Sequence, residues 1–297
     1  MILNGPALRV MQQQARGRFV RKLLIYCGGL IVPVVAGLVF GFNLALQCVI
    51  AIFLAHGTQL MHQLTHGVFN PNKDRFIGWW LGLALFENFI EYRVSHLNHH
   101  RLIGTEKYHC HPSRMPKVSG LVKVVYSGLH LFKIVFYVKT LRRLFAALLG
   151  RSDIAPNDKQ NRLICNDYRW MLLAHSGVLA GAYYFGLLGL LVDIWLIPLV
   201  IASCLHTLLE LATHADCAMD ETDPRLNSRS IRTNGLMNWF SNYGCFHAEH
   251  HQYMVVPMDV LPQIHGQMPM DIKHTNPGYL ALVLQLMRSF VKGLKAS

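Results

Sequence analysis

The hydrophobic positions of this chain fall in long unbroken runs, not in the alternation of a half-buried strand or the narrow stripe of a soluble helix. Leu23 to Gly41 carries no charge, and after Phe42 and Asn43 the run from Leu44 to Met61 carries none either. A helix needs roughly 20 apolar residues to cross a bilayer. Spans are therefore expected at about 23–41 and 44–61, joined by a very short turn. A second hairpin is expected from 170–192 and 194–213, with Asp193 at its turn. Phe76 to Ile90 is apolar but short and contains Glu87, so it reads as a re-entrant or interfacial helix. Gly120 to Gly150 interleaves apolar residues with Lys123, Lys133, Lys139, Arg142 and Arg143 and reads as one or two amphipathic helices on the inner leaflet. Arg151 to Asn166 is the most polar stretch and is expected as an exposed connection. The expected fold class is an all-α integral membrane domain over 1–297: four transmembrane helices in two hairpins, capped by cytoplasmic and interfacial helices.

Composition agrees with this pattern. Charged residues make up 15% of the 297 residues and hydrophobic ones 52%, against about 25% charged in a soluble protein. Disorder is excluded by the same figures, since so apolar a chain cannot stay solvated. The net charge is +12. In a membrane protein such a charge suits anionic headgroups or acidic protein partners, and no nucleic-acid partner is expected. Lys and Arg are missing from Leu23 to Asn72 and from Met171 to Asp216. By the positive-inside rule both termini and the large loops are expected on the cytoplasmic side. The first 22 residues are basic and polar, without the features of a cleavable signal. The seven cysteines include no C-x-x-C pair and are expected to be reduced and structural.

The chemistry is expected at the histidines, which number 17. His62 and His66 form an H-x3-H at the end of the second run. His96, His99 and His100 form an H-x2-H-H, as do His247, His250 and His251. Residues three and four apart share a helix face, so each group can aim its imidazoles at one region. At this histidine content one H-x2-H-H arises by chance in roughly one chain in twenty; two of them with an H-x3-H is a far rarer coincidence. Eight imidazoles exceed the four or so ligands of a zinc ion and point to two metals. Imidazole suits Fe, Zn, Cu and Ni alike. Near the end of the fourth run, Glu210 and His214 stand four apart. His214 is expected as a ninth ligand, and Glu210 as a candidate catalytic residue that touches metal or orients a ligand. His206 is expected to pack or to support a ligand. His56, His109, His111, His130, His175, His265 and His274 lack cluster spacing and are expected not to be ligands.

These motifs resemble the membrane fatty acid desaturase family over about His62 to His265. The resemblance is carried by His62, His66 and Gly67; by Tyr92, Arg93, His96, His99, His100 and Arg101 with Gly104, Thr105 and Glu106; and by Asn242, Tyr243, His247, His250 and His251, followed by Val256, Pro257, Leu261 and Pro262. It implies a non-haem di-iron centre held by eight or nine histidines, with O2 and two electrons as co-substrates and a lipid or acyl substrate. His214, preceded by a polar residue at Glu210, matches a further family feature, although Glu replaces the Asn of some members. Tyr108, His109, Cys110 and His111 depart from the family pattern. The chain has no His-Pro-Gly-Gly of a fused cytochrome b5 domain, so a separate donor (ferredoxin, cytochrome b5 or similar) is implied. Desaturation is the leading expectation. Hydroxylases and ketolases of lipids or carotenoid-like substrates use the same boxes, and a zinc-dependent membrane hydrolase or a metal transporter is a remoter alternative.

Overall fold

The computed structural model describes residues 5–107, 120–267 and 270–295. Tyr108, His109, Cys110 and His111 lie outside them. Along the chain run α1 (Gly5–Phe40), α2 (Leu44–Thr65), α3 (Pro71–Leu85), α4 (Phe89–Leu102), α5 (Gly120–Leu131), α6 (Ile134–Leu148) and α7 (Asp158–Tyr184). Next come α8 (Leu188–Leu191), a π-helical turn (Val192–Leu196), α9 (Ile197–His214), α10 (Pro224–Asn227), β1 (Arg229–Ile231) and α11 (Gly235–Phe240). α12 (His247–Gln252), α13 (Leu261–Gln267), β2 (His274–Asn276) and α14 (Tyr279–Lys295) complete the order. Asparagine starts many of these helices. Asn43, Asn70, Asn157 and Asn234 each accept a backbone N–H of the first turn, which satisfies an otherwise orphaned donor.

Three helical stretches are long and apolar enough to cross a membrane: Leu8–Phe40, Leu44–Thr65 and Leu188–His214. The pair α5 and α6 would make a fourth if counted as one span. In the expected third span, 170–192, the helix ends earlier than its expected bound. This helix is α7, which ends at Tyr184, and its charge-free part from Trp170 is about 22 Å long at 1.5 Å per residue. The turn also moves from Asp193 to Phe185–Leu187. Gly186 takes φ +68, and the Leu187 N–H closes on the Ala182 carbonyl. Asp193 sits instead inside the helical path, in the π-helical turn, where Gln47 Nε2 of α2 donates to its Oδ1 at 2.8 Å. A partner of this kind lets an acid stay within an apolar segment.

Two further expectations are corrected. Phe76–Ile90 is not one helix: α3 stops at Leu85, Phe86 turns left-handed at φ 56, and α4 starts at Phe89 with Asn88 Oδ1 accepting from Glu91 N. Glu87 lies in that turn, and its carbonyl would be 2.2 Å from a Cβ at Gly82, so only glycine permits the reversal. The polar stretch Arg151–Asn166 is helical from Asp158 onward, and Ile164 and Cys165 are buried. Within Gly120–Gly150, α6 buries Thr140, Leu144 and Ala147 and exposes Val138, Leu141 and Phe145.

The chain divides into two compact units. One comprises Val20–Leu97 and Phe132–Leu205. In it Gly57 of α2 lies against the Tyr26 ring and Gly29 of α1 against Phe53, small residues that let the two helices approach closely. Buried Leu60, Leu64, Leu81, Phe89 and Tyr168 form much of its interior. The start of α4 is held there by Glu91, which accepts from Tyr168 Oη at 2.6 Å and from Arg143.

The other unit comprises Met1–Phe19, Asn98–Leu131 and His206–Ser297. Its β1 and β2 pair in parallel, and two apolar clusters flank the third histidine box. Met11, Val256, Met258, Val260, Leu261 and Ile264 form one. Ala212, Ile231, Cys245 and Leu282 form the other.

Candidate metal centre

In the first unit the histidines belong to α2 and α4. His62 lies in the last turn of α2 and His66 caps it, with its backbone N–H returning to Gln63 and Leu64. Thr65 Oγ1 donates to the His62 carbonyl, and the N–H groups of Val68 and Phe69 reach buried Asp74, so the chain leaving α2 is tied down. His96 stacks on Tyr92 one turn earlier on α4. Its Nε2 lies 2.9 Å from His62 Nε2 and 2.8 Å from His66 Nε2.

In the second unit the end of α4, the end of α9 and α12 bring four histidines together. His214 Nε2 is 2.9 Å from His247 Nε2, and His247 Nε2 is 3.0 Å from His251 Nε2. His251 Nε2 and His214 Nε2 are each 3.2 Å from His99 Nε2, which closes a ring. All four nitrogens lie within 4.8 Å of one another. The turn that launches α12 is tightly wound: Asn242 and Tyr243 are both left-handed, at φ 48 and 63, before the box begins at His247. Beside the ring, His100 and His250 bring their ring centroids to 4.7 Å, and His100 lies 4.2 Å from His251.

The tautomer of His214 follows from its neighbour. Its Nδ1 is 2.8 Å from the Asn227 carbonyl, which can only accept, so Nδ1 carries the proton and Nε2 presents a lone pair. Asn227 is itself fully buried and fixed by Glu221 and Ser228. His251 is pushed well below its ordinary 6.5, first by burial and then by His247, His100, His99 and His214 around it. Neutral imidazoles that converge on one point, with at least one lone pair aimed inward, form a donor set for a cation. Nitrogens about 2.1 Å from a common ion stand roughly 3.0 Å apart at octahedral cis positions and about 3.4 Å apart in a tetrahedron. The ring contacts of 2.9–3.2 Å fit that range.

The remaining candidates lie elsewhere. Glu210 turns its half-exposed carboxylate to His206, with His206 Nδ1 at 3.6 Å, and belongs to neither histidine group. His175 bonds the carbonyls of Met171 and Leu83 and stacks on Trp195. Sequence reasoning missed Asn227, whose contribution is a backbone carbonyl and leaves no side-chain signal. It also missed the partners of Glu249: Ser230 Oγ donates to one carboxylate oxygen and His265 Nδ1 meets the other, each at 2.5 Å. An acid inside a histidine box was the available sign.

The chain thus combines helices long and apolar enough to cross a membrane with converging imidazoles that could hold a metal ion. Residues 39–282 match the fatty acid desaturase family, and the chain belongs to that family. Over 224 residues it is 27% identical to the dihydrorhizobitoxine desaturase of Bradyrhizobium elkanii, an alignment that takes in 70% of this chain and 60% of that protein. The chain thus spans about 60% of that relative's length.

Proposed function

We propose that the protein is a membrane-bound, O2-dependent di-iron oxidoreductase that introduces a double bond into a fatty acyl chain. The observation that carries this reading is the closed ring of Nε2 atoms from His99, His214, His247 and His251. In this reading that ring holds one iron. His62, His66 and His96 supply ligands to the second, and His100 and His250 complete the set of nine. The overall balance is one CH2–CH2 unit, O2, two electrons and two protons giving one CH=CH unit and two waters. Iron, when bound, would supply the oxidising power to take hydrogen from a methylene that no acid or base can activate. The protein's own residues hold and orient. The Asn227 carbonyl keeps the His214 Nδ1 proton in place. Burial keeps His251 neutral and ready to bind metal. The apolar helices give an acyl chain a water-poor surround, which limits side reactions at the centre.

Electrons come from a separate carrier, a ferredoxin, a cytochrome b5 or similar. A net charge of +12 favours an acidic one. The relative's name carries the word desaturase, which supports hydrogen removal over oxygen insertion. Both termini are taken as cytoplasmic on a four-span reading in which α7 crosses as the third span, because the turns at 41–43 and 185–187 carry no Lys or Arg.

The test is untargeted lipid mass spectrometry on cells that express wild type or His250→Ala, beside iron analysis of the purified proteins. A lipid lighter by two hydrogens in wild type alone supports the reading. A product heavier by one oxygen moves the assignment to a hydroxylase or ketolase. One zinc per chain in place of iron refutes the di-iron centre and favours a hydrolase.

A further inference from the structure

The third histidine box contains a single acid, Glu249, and it faces away from the ring of nitrogens. At 100° per residue it lies on the opposite side of α12 from His247 and His251. Its side chain is 1% exposed. Both carboxylate oxygens are engaged by other elements, Oε2 by Ser230 Oγ of β1 and Oε1 by His265 Nδ1 of α13. Each of these partners is anchored in turn. Ser230 sits in the strand paired with β2, and the neighbouring Ile231 N–H bonds the Cys245 carbonyl just before the box. His265 lies against the Phe246 ring at 5.4 Å and follows Ile264, which is fully buried.

α12 has only six residues, too few for a helix to hold itself in water. Three imidazoles on so short a helix take their direction from whatever fixes it from behind. Apolar packing could bury that face at lower cost, since a buried carboxylate is expensive unless its oxygens are bonded. What a carboxylate adds is direction: two hydrogen bonds to two elements fix the rotation of α12 about its axis. We propose that Glu249, with Ser230 and His265, is the positioning clamp of the third histidine box and aims His247, His250 and His251 at the metals. The inference rests on the metal-centre reading above.

The test uses full-length protein in detergent, loaded with Co(II) after its native metal is stripped. Affinity and the ligand-field spectrum are compared for wild type, Glu249→Leu, Glu249→Gln, Ser230→Ala and His265→Ala. Glu249→Leu is expected to weaken Co(II) binding by roughly ten- to hundredfold, the usual effect of removing a residue that orients a ligand. Glu249→Gln keeps an oxygen for Ser230 and should recover most of the affinity. Ser230→Ala and His265→Ala should keep the metal count and shift the Co(II) bands, a change that a purely structural role would not produce. Wild-type affinity and spectrum in Glu249→Leu overturn the clamp. If Glu249→Leu does not accumulate, unshifted spectra in both single-tether variants overturn it instead. Wild-type protein that takes up neither Co(II) nor iron overturns the metal centre, and the clamp falls with it.

Discussion

Gly104 lies two residues beyond α4, in the turn that follows His99 and His100. It takes φ +80, and a Cβ there would be 2.0 Å from the Glu221 carbonyl oxygen, 2.3 Å from its carbon and 2.6 Å from Thr222 N. All three obstacles are backbone, so no side chain can swing aside. Alanine at this position costs about 1–2 kcal/mol for the left-handed conformation and about 1–3 kcal/mol for the shift forced on its neighbours. The total of about 2–5 kcal/mol is a large part of a typical folding stability. The strain enters the last turn of α4, where Ile103 N bonds the His99 carbonyl and Thr105 Oγ1 bonds that of Leu102. Gly104→Ala should therefore lower both the midpoint of heat inactivation and the metal content. At about 2–4 °C per kcal/mol, the midpoint should fall by on the order of 4–20 °C, read as monodisperse protein remaining after heating in detergent. Gly128→Ala is the control, because a Cβ there meets nothing within 4 Å inside α5. If Gly104→Ala melts within about a degree of wild type, or no lower than Gly128→Ala, the steric argument is wrong.

Three other predictions follow from the same geometry. Arg143→Met strips a cation from Glu91, whose carboxyl burial already pushes up while Arg143 and Tyr168 pull it down. Breaking such a pair costs about 3–5 kcal/mol, and adding Glu91→Gln should restore part of the lost thermal stability. For pH, the folded value of His251 lies well below the unfolded 6.5. Below pH 6.5 the unfolded chain takes up a proton that the folded site refuses, so this contribution is complete above pH 6.5 and is lost as pH falls towards the folded value. Heat-inactivation midpoints of metal-free protein should accordingly decline below pH 6.5 and stay level just above it; a His251→Asn variant should show a smaller decline. Glu210→Gln distinguishes a metal-contacting carboxylate from one that serves only His206. Its position 3.6 Å from His206 Nδ1 predicts wild-type iron content, and loss of iron would make it a ligand.

The histidine boxes were legible because they are local. An i, i+3, i+4 spacing on a helix fixes which side chains share a face, and no distant contact can undo that. The apolar runs at 23–41 and 44–61 were legible for the same reason: helix length and bilayer thickness are both set per residue. Asp193 was misread because the cost of an acid in an apolar run is local, whereas its remedy, Gln47, lies 146 residues away. The α3–α4 break at Phe86 was marked in the sequence only by Glu87 and Asn88, which do not say that the helix ends there. The need for glycine at Gly82 becomes visible only when the Glu87 carbonyl is folded back against it.

Sequence by itself determined the long apolar runs, the three boxes and the resemblance to the desaturases, all of which depend on residue type and short spacing. Tertiary structure alone decided that His214 meets His99, His247 and His251, that Asn227 sets its tautomer, and that Glu249 reaches Ser230 and His265. These contacts join residues up to 115 positions apart. A one-dimensional pattern carries no distance between such positions, because chain reversal and packing create it.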